Sequence, residues 1–136
     1  MLEILRTQLR ILTFRFDATD LASLEAPHLL FGLATAWLAG LGRYWDHPDP
    51  YVVQRLGLGS LLIPVVLSGF LFALLYPLRP ERWSYRHLLT FVSLTSLPAL
   101  LYAVPVERFL SLTAARSVNA WLLGIVAAWR VGLLAA

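Results

Sequence analysis

From Leu56 to Leu78, and again from Leu88 to Val106, the chain carries no aspartate, glutamate, lysine or arginine. A helix on the surface of a soluble protein marks its outer face with polar and charged residues, and these stretches offer no such face. About 20 helical residues cross the roughly 30 Å of bilayer hydrocarbon, so each stretch has the length of a membrane span. Two further candidates flank them. Pro27 to Trp45 acquires Arg43 only near its end, and Val118 to Ala136 holds a single charged residue, Arg130. Backbone polar groups in lipid must be satisfied within the segment, which predicts helices rather than isolated strands. The expected fold class is all-α: an integral membrane bundle of four transmembrane helices, with spans near 27–45, 56–78, 88–106 and 118–136, preceded by a membrane-surface segment over 1–26.

Composition agrees. Of 136 residues, 59% are hydrophobic and 14% charged, with a mean hydropathy of +0.71. Soluble domains average about 45–50% apolar and about 25% charged, and so short a chain cannot enclose the surplus in one core. The absence of cysteine removes disulfide scaffolds, zinc ribbons, thiol nucleophiles and iron–sulfur ligation. All eleven basic residues are arginine, which with heavy leucine and alanine usage points to a GC-rich bacterial genome. The net charge of +3 does not imply nucleic acid, because the arginines are scattered between apolar runs rather than gathered into a patch. Expected partners are the lipid bilayer and its anionic headgroups, and beyond them a membrane protein or a second copy of the chain.

Prolines interrupt the second and third spans. Pro64, Pro98 and Pro105 each remove a donor and free the carbonyl four residues earlier, at Ser60, Leu94 and Leu101. Kinks are expected there, with Thr95 and Ser96 beside the Leu94 carbonyl to restore part of the bonding. Before the first span, Leu2, Leu5, Leu9, Leu12 and Phe16 recur at helical spacing, with Arg6, Arg10 and Thr13 displaced from the stripe. That pattern predicts an interfacial amphipathic helix, apolar face in the acyl boundary and arginines near phosphates; Ile4, Ile11 and Phe14 fall off it. Glu3 and the repeated arginines argue against a cleaved signal peptide. With four spans, Arg6, Arg10, Arg15, Arg79, Arg82 and Arg86 share one side, against Arg43, Arg55, Arg108 and Arg116 on the other. Six against four places the N-terminus in the cytoplasm of a bacterial inner membrane.

The loops hold the remaining polar chemistry. Asp46, His47 and Asp49 are the candidate ligands for a divalent metal, although neighbouring Asp46 and His47 point apart and further ligands must come from elsewhere; an ordered turn with Arg43 paired to Asp46 is the simpler reading. Arg79, Arg82, Trp83 and Arg86 suit anionic lipid, joining Arg6 and Arg10 as lipid or partner contacts. Glu25, His28 and His87 offer acid–base groups, yet no nucleophile accompanies them and no catalytic or phosphate-loop motif is present. No catalytic residue and no cofactor is therefore expected. Asn119 and Arg130 are the intramembrane polar residues. They lie eleven residues apart on nearly one helix face, and Arg130 faces either the bundle or a partner, or becomes an interfacial anchor if the span begins near Leu110. Gly32, Ala36 and Gly40, and Gly124 with Ala128, mark faces for close helix approach.

The tract Ser84-Tyr85-Arg86-His87-Leu88-Leu89-Thr90, followed by Ser93-Leu94-Thr95-Ser96-Leu97-Pro98, resembles the polar lead and proline-bearing helix of Yip1-like bacterial membrane proteins. The resemblance covers about fifteen residues and implies a small multi-helix membrane protein with no active-site residues to carry over. It also implies a fifth span in many members, so the C-terminus here either ends unusually or is truncated. The expected role is a noncatalytic membrane scaffold or accessory subunit. The alternatives are a small oligomeric transporter or channel lined by Thr90, Ser93, Asn119 and Arg130, and, third, a membrane-edge enzyme.

Overall fold

The structure, a computed structural model, describes residues 2–44, 49–78 and 84–135. Among them it is entirely helical: α1 (Leu2–Leu12), α2 (Ala18–Ala22), α3 (Ala26–Tyr44), α4 (Val52–Arg55), α5 (Leu58–Leu75), α6 (Tyr85–Leu94) and α7 (Leu112–Ala135), with 3-10 turns at Tyr76–Leu78, Leu97–Ala103 and Val106–Arg108. Two of these, α5 and α7, are long and apolar enough to cross a membrane.

The frame is α3. Its Gly32 lies so close to α6 that a Cβ there would fall 2.8 Å from the Leu94 nitrogen and the Ser93 carbonyl carbon, and ten residues on, Gly42 meets Ala103 in the same way. The register advances equally on both sides, so α3 runs parallel to α6 and the 3-10 helix that continues it. On another face Gly40 abuts Ser60 and the Gly57 carbonyl, which seats the start of α5. Gly57 opens α5 with φ +68°, a left-handed conformation that costs other residues about 1–2 kcal/mol. The indole N–H of Trp37 donates to the Leu56 carbonyl at 2.9 Å and pins that turn to α3.

The third span departs from expectation. Instead of one helix over 88–106, α6 stops at Leu94, turns through Thr95 and Ser96, and resumes as the 3-10 helix Leu97–Ala103. At 1.5 Å per α-helical residue and 2.0 Å per 3-10 residue, the two pieces rise about 15 Å and about 14 Å, together matching the roughly 28 Å of the nineteen-residue α3. The helix expected over 118–136 begins earlier, at Leu112.

The N-terminal segment is built into the bundle. Gln8, Ile11 and Leu12 of α1 are buried, and Ile11 and Leu12 join Leu21, Leu24, Leu88, Phe91, Val92, Leu94 and Leu133 in the core. The stripe Leu2, Leu5 and Leu9 stays exposed; the side turned inward carries Gln8 and the off-stripe Ile11. Helix α1 closes with Arg15 N–H to the Arg10 carbonyl and Phe14 N–H to the Ile11 carbonyl, the paired bonds of a Schellman ending. Phe14 accordingly takes φ +58°. The exposed Arg10 ties the segment together: its Nη1 meets Asp20 Oδ1 at 2.6 Å and its Nε donates to the Arg15 carbonyl at 3.1 Å.

Candidate functional site

The break between α6 and the 3-10 helix Leu97–Ala103 is where polar groups gather. Pro98 has no N–H to offer the Leu94 carbonyl, and that carbonyl accepts instead from Gln8 Nε2 at 2.6 Å, across 86 residues of sequence. Thr95 Oγ1 donates back to the Val92 carbonyl at 2.7 Å, and the amides of Thr95 and Ser96 bond to the carbonyls of Phe91 and Ser93. The turn is thus satisfied although Thr95 and Ser96 are buried. From α7, Arg130 Nε donates to Thr95 Oγ1 at 3.3 Å, which sets a permanent cation beside the carboxyl end of α6, where the helix dipole favours positive charge. The adjacent Trp129 donates to the Leu12 carbonyl at 3.0 Å, so one turn of α7 holds both the break and α1.

Beside the break lies a cavity of about 210 Å³, walled by Ala36 and Ala39 of α3, Ser60 and Ile63 of α5, Ser96 and Ala99 after the break, and Leu123, Val126 and Ala127 of α7. Arg43 and Arg130 both line it. Small residues on α3 leave the space, and the close approach of Gly40 brings Ser60 to its edge. A second cavity of about 240 Å³ shares Arg43, Ser60 and Ile63, and adds Gln54, Gly57 and Gly59 from the α4–α5 turn. The lining residues of the first cavity that carry side-chain donors are Arg43, Arg130, Ser60 and Ser96. Guanidinium and hydroxyl groups are the donor types that suit recognition of an acceptor.

The expected site residues distribute as follows. Arg130 turns into the bundle; Asn119, half-buried, lies outside the cavity wall. Thr90 and Ser93 do not line a pathway with them: both are fully buried, Ser93 against Gly32 of α3, and Thr90 Oγ1 bonds the Arg86 carbonyl. Arg6 and Arg86 are exposed. Arg79, Arg82, Trp83, Asp46 and His47 lie outside the described residues; Asp49 is exposed, and among the described residues no three His, Cys, Asp or Glu side chains gather. The two described histidines serve their own helices. His28 Nδ1 accepts from the Glu25 N–H at 3.2 Å. His87 Nδ1 accepts from the Ser84 N–H, and the His87 N–H returns to Ser84 Oγ, the reciprocal bonding of a capping box.

Sequence reasoning missed Gln8, named Ser60 and Ser96 only for the backbone disturbed by Pro64 and Pro98, and read Arg43 as an edge residue only. The one available signal was Pro98, which announces an unbonded carbonyl at Leu94 without saying what reaches it. The chain matches no protein-family model, no curated protein and no solved structure.

Proposed function

We propose that this chain is a multi-pass protein of the bacterial cytoplasmic membrane, of Yip1-like type, that crosses four times with its N-terminus inside and serves as a noncatalytic scaffold or accessory subunit. The observation that carries the membrane reading is α5. Only Pro64 and Ser68 of its eighteen residues are buried, while Leu62, Ile63, Val65, Val66, Phe70 and Leu74 stand exposed. Each such side chain left in water forgoes about 1.5–3 kcal/mol of burial, a cost that lipid removes. Helix α7 repeats the pattern with Trp121, Leu123, Ile125 and Val131 exposed. The parallel run of α3 and the broken third segment supports two further crossings, since irregular backbone at membrane depth is tolerated where protein covers it. On α1, exposed Leu2, Leu5 and Leu9 suit acyl chains, while Arg6 and, on α6, Arg86 suit anionic headgroups.

Because the chain has no cysteine, single cysteines map topology without background. Ala22→Cys and Tyr76→Cys are expected to label only from the cytoplasmic face, Tyr51→Cys and Ser111→Cys only from the outer face, and the protein is expected to resist alkaline carbonate extraction. Labelling of all four from one side, or release by carbonate, refutes the four-crossing reading. Gentle extraction that yields only a lipid-bearing single-chain particle refutes the accessory-subunit role. A small transporter is the second reading, favoured by the arginine-lined cavity, and predicts anion flux in vesicles that Arg130→Leu abolishes.

A further inference from the structure

We infer that the cavity beside the Thr95–Ser96 turn is a binding site for a small oxyanion group, a phosphate or carboxylate, held between Arg43 and Arg130 and by the hydroxyls of Ser60 and Ser96. The donor set is the first ground. Both arginines line a single cavity with two hydroxyls, and planar guanidinium groups match the paired oxygens of carboxylate and phosphate better than any other side chain. Size is the second. About 210 Å³ corresponds to roughly seven waters at about 30 Å³ each. That is room for an oxyanion group, and the adjoining cavity can take the rest of a larger molecule that carries one.

Position supplies the third ground. The adjoining cavity shares Arg43 and Ser60 and reaches Gln54 and Gly57 at the α4–α5 turn, which gives a polar approach from the end of the bundle where α3 finishes and α5 starts. Arg43 therefore stands where the two cavities meet, while Arg130 is anchored deeper through Thr95. An entering anion meets the exposed Arg43 first and passes to Arg130, with Ser96, itself buried, also on the cavity wall. Apolar neighbours Ile63, Leu123 and Val126 lower the local dielectric, which strengthens a charged contact there relative to water.

The same oxyanion chemistry belongs to free phosphate and to the headgroup of an anionic lipid, and the test separates them. The full chain is placed in nanodiscs of pure phosphatidylcholine and, in parallel, of phosphatidylcholine with phosphatidylglycerol. The thermal midpoint is followed with inorganic phosphate against chloride at matched ionic strength. A free-anion site predicts a phosphate-dependent rise in phosphatidylcholine discs. A headgroup site predicts a rise from phosphatidylglycerol alone that added phosphate does not increase. In either case Arg43→Gln and Ser96→Ala are expected to weaken the apparent affinity at least about tenfold, whereas Arg116→Gln, exposed on α7 and outside both cavities, leaves it unchanged. Arg43 and Ser96 are chosen because Arg130→Gln also disturbs the end of α6. No rise in either disc, or an equal loss with Arg116→Gln, overturns the inference. The inference rests on the chain being embedded in a bilayer, and failure of that premise shows separately, as chain that does not incorporate into the discs.

Discussion

Replacing Gln8 tests whether α1 is a structural partner of the helix break rather than a passenger on the membrane surface. The Leu94 carbonyl is buried, its helical donor is absent because residue 98 is proline, and Gln8 Nε2 at 2.6 Å takes the donor's place. Leaving a buried carbonyl unpaired costs about 1–3 kcal/mol. Gln8→Met keeps the length of the side chain and also removes Oε1, which is buried without a partner among the described residues; relief of that orphan acceptor offsets part of the loss. The expected net destabilisation is about 1–2 kcal/mol. The decisive comparison is a cycle with Pro98→Ala, which restores an N–H able to serve the Leu94 carbonyl. In that background Gln8→Met is expected to cost much less, with a coupling of at least about 0.5 kcal/mol, the lower bound for groups in one hydrogen-bond network. Reversible unfolding in mixed detergent micelles measures all four corners. Tryptophan emission is an apt signal because Trp129 is bonded to the Leu12 carbonyl of α1. Equal losses from Gln8→Met in both backgrounds, or a stabilised single variant, would refute the assignment.

Two other perturbations give contrasting outcomes. Gly32→Ala places a Cβ 2.8 Å from two backbone atoms of α6 and is expected to cost about 1–3 kcal/mol by overpacking, whereas Gly124, with nothing within 4 Å of its would-be Cβ, is expected to gain up to about 1 kcal/mol as alanine through helix propensity; thermal midpoints of the two variants in one detergent decide, and a loss at Gly124 as large as that at Gly32 contradicts the packing described. Asp17 caps α2, and the Thr19 hydroxyl, then the Asp20 amide, hold its carboxyl below the usual value of 3.8. A folded value below the unfolded one means that the cap's contribution is complete above about pH 4 and is lost as pH falls through the folded value. Amide exchange at Thr19 and Asp20, corrected for intrinsic rates, is expected to accelerate over that acidic window in the native chain and to show no such step in Asp17→Asn.

What the sequence made legible were features set by length and hydropathy within one segment. Helix α3 falls within a residue of its expected bounds, and α5 sits inside the charge-free run from Leu56 to Leu78, because both depend on continuous apolar stretches closed by glycine, proline or charge. The third span was misread for the opposite reason. Its hydropathy is continuous, and only the meeting of Pro98 with donors from Gln8 and Arg130, far away in the chain, lets α6 stop inside the apolar run. The packed side of α1 was equally hidden, since Ile11 and Leu12 offer as much apolar surface as Leu5 and Leu9, and periodicity alone cannot say which sector meets protein and which meets lipid. The cavity was beyond reach altogether: it exists because Gly40 draws Ser60 against α3, a fact of register between helices.

The helix break and the buried-facing arginine explain one another. A helix that ends inside the bundle exposes a partly negative carboxyl end in a low-dielectric setting, and a half-buried arginine pays a desolvation cost that a nearby negative group offsets. Set side by side, as Arg130 and the end of α6 are, each supplies the charge the other lacks, and Thr95 carries the contact by accepting from Arg130 Nε while donating to Val92. The pairing also accounts for the small and hydroxyl residues around it, because Ser96 and Ala99 on the broken side and Ala127 on α7 leave room that larger apolar side chains would fill. Arg130→Leu is then more than a charge deletion. It strips the α6 end of its counter-charge and is expected to loosen α1 through the neighbouring Trp129 anchor. Arg130→Lys keeps the charge but loses the Nε–H directed at Thr95, and should hold the fold while relaxing the turn. If the two variants are equally stable, the break is maintained by Pro98 and Gln8 alone and the arginine is there for its cavity.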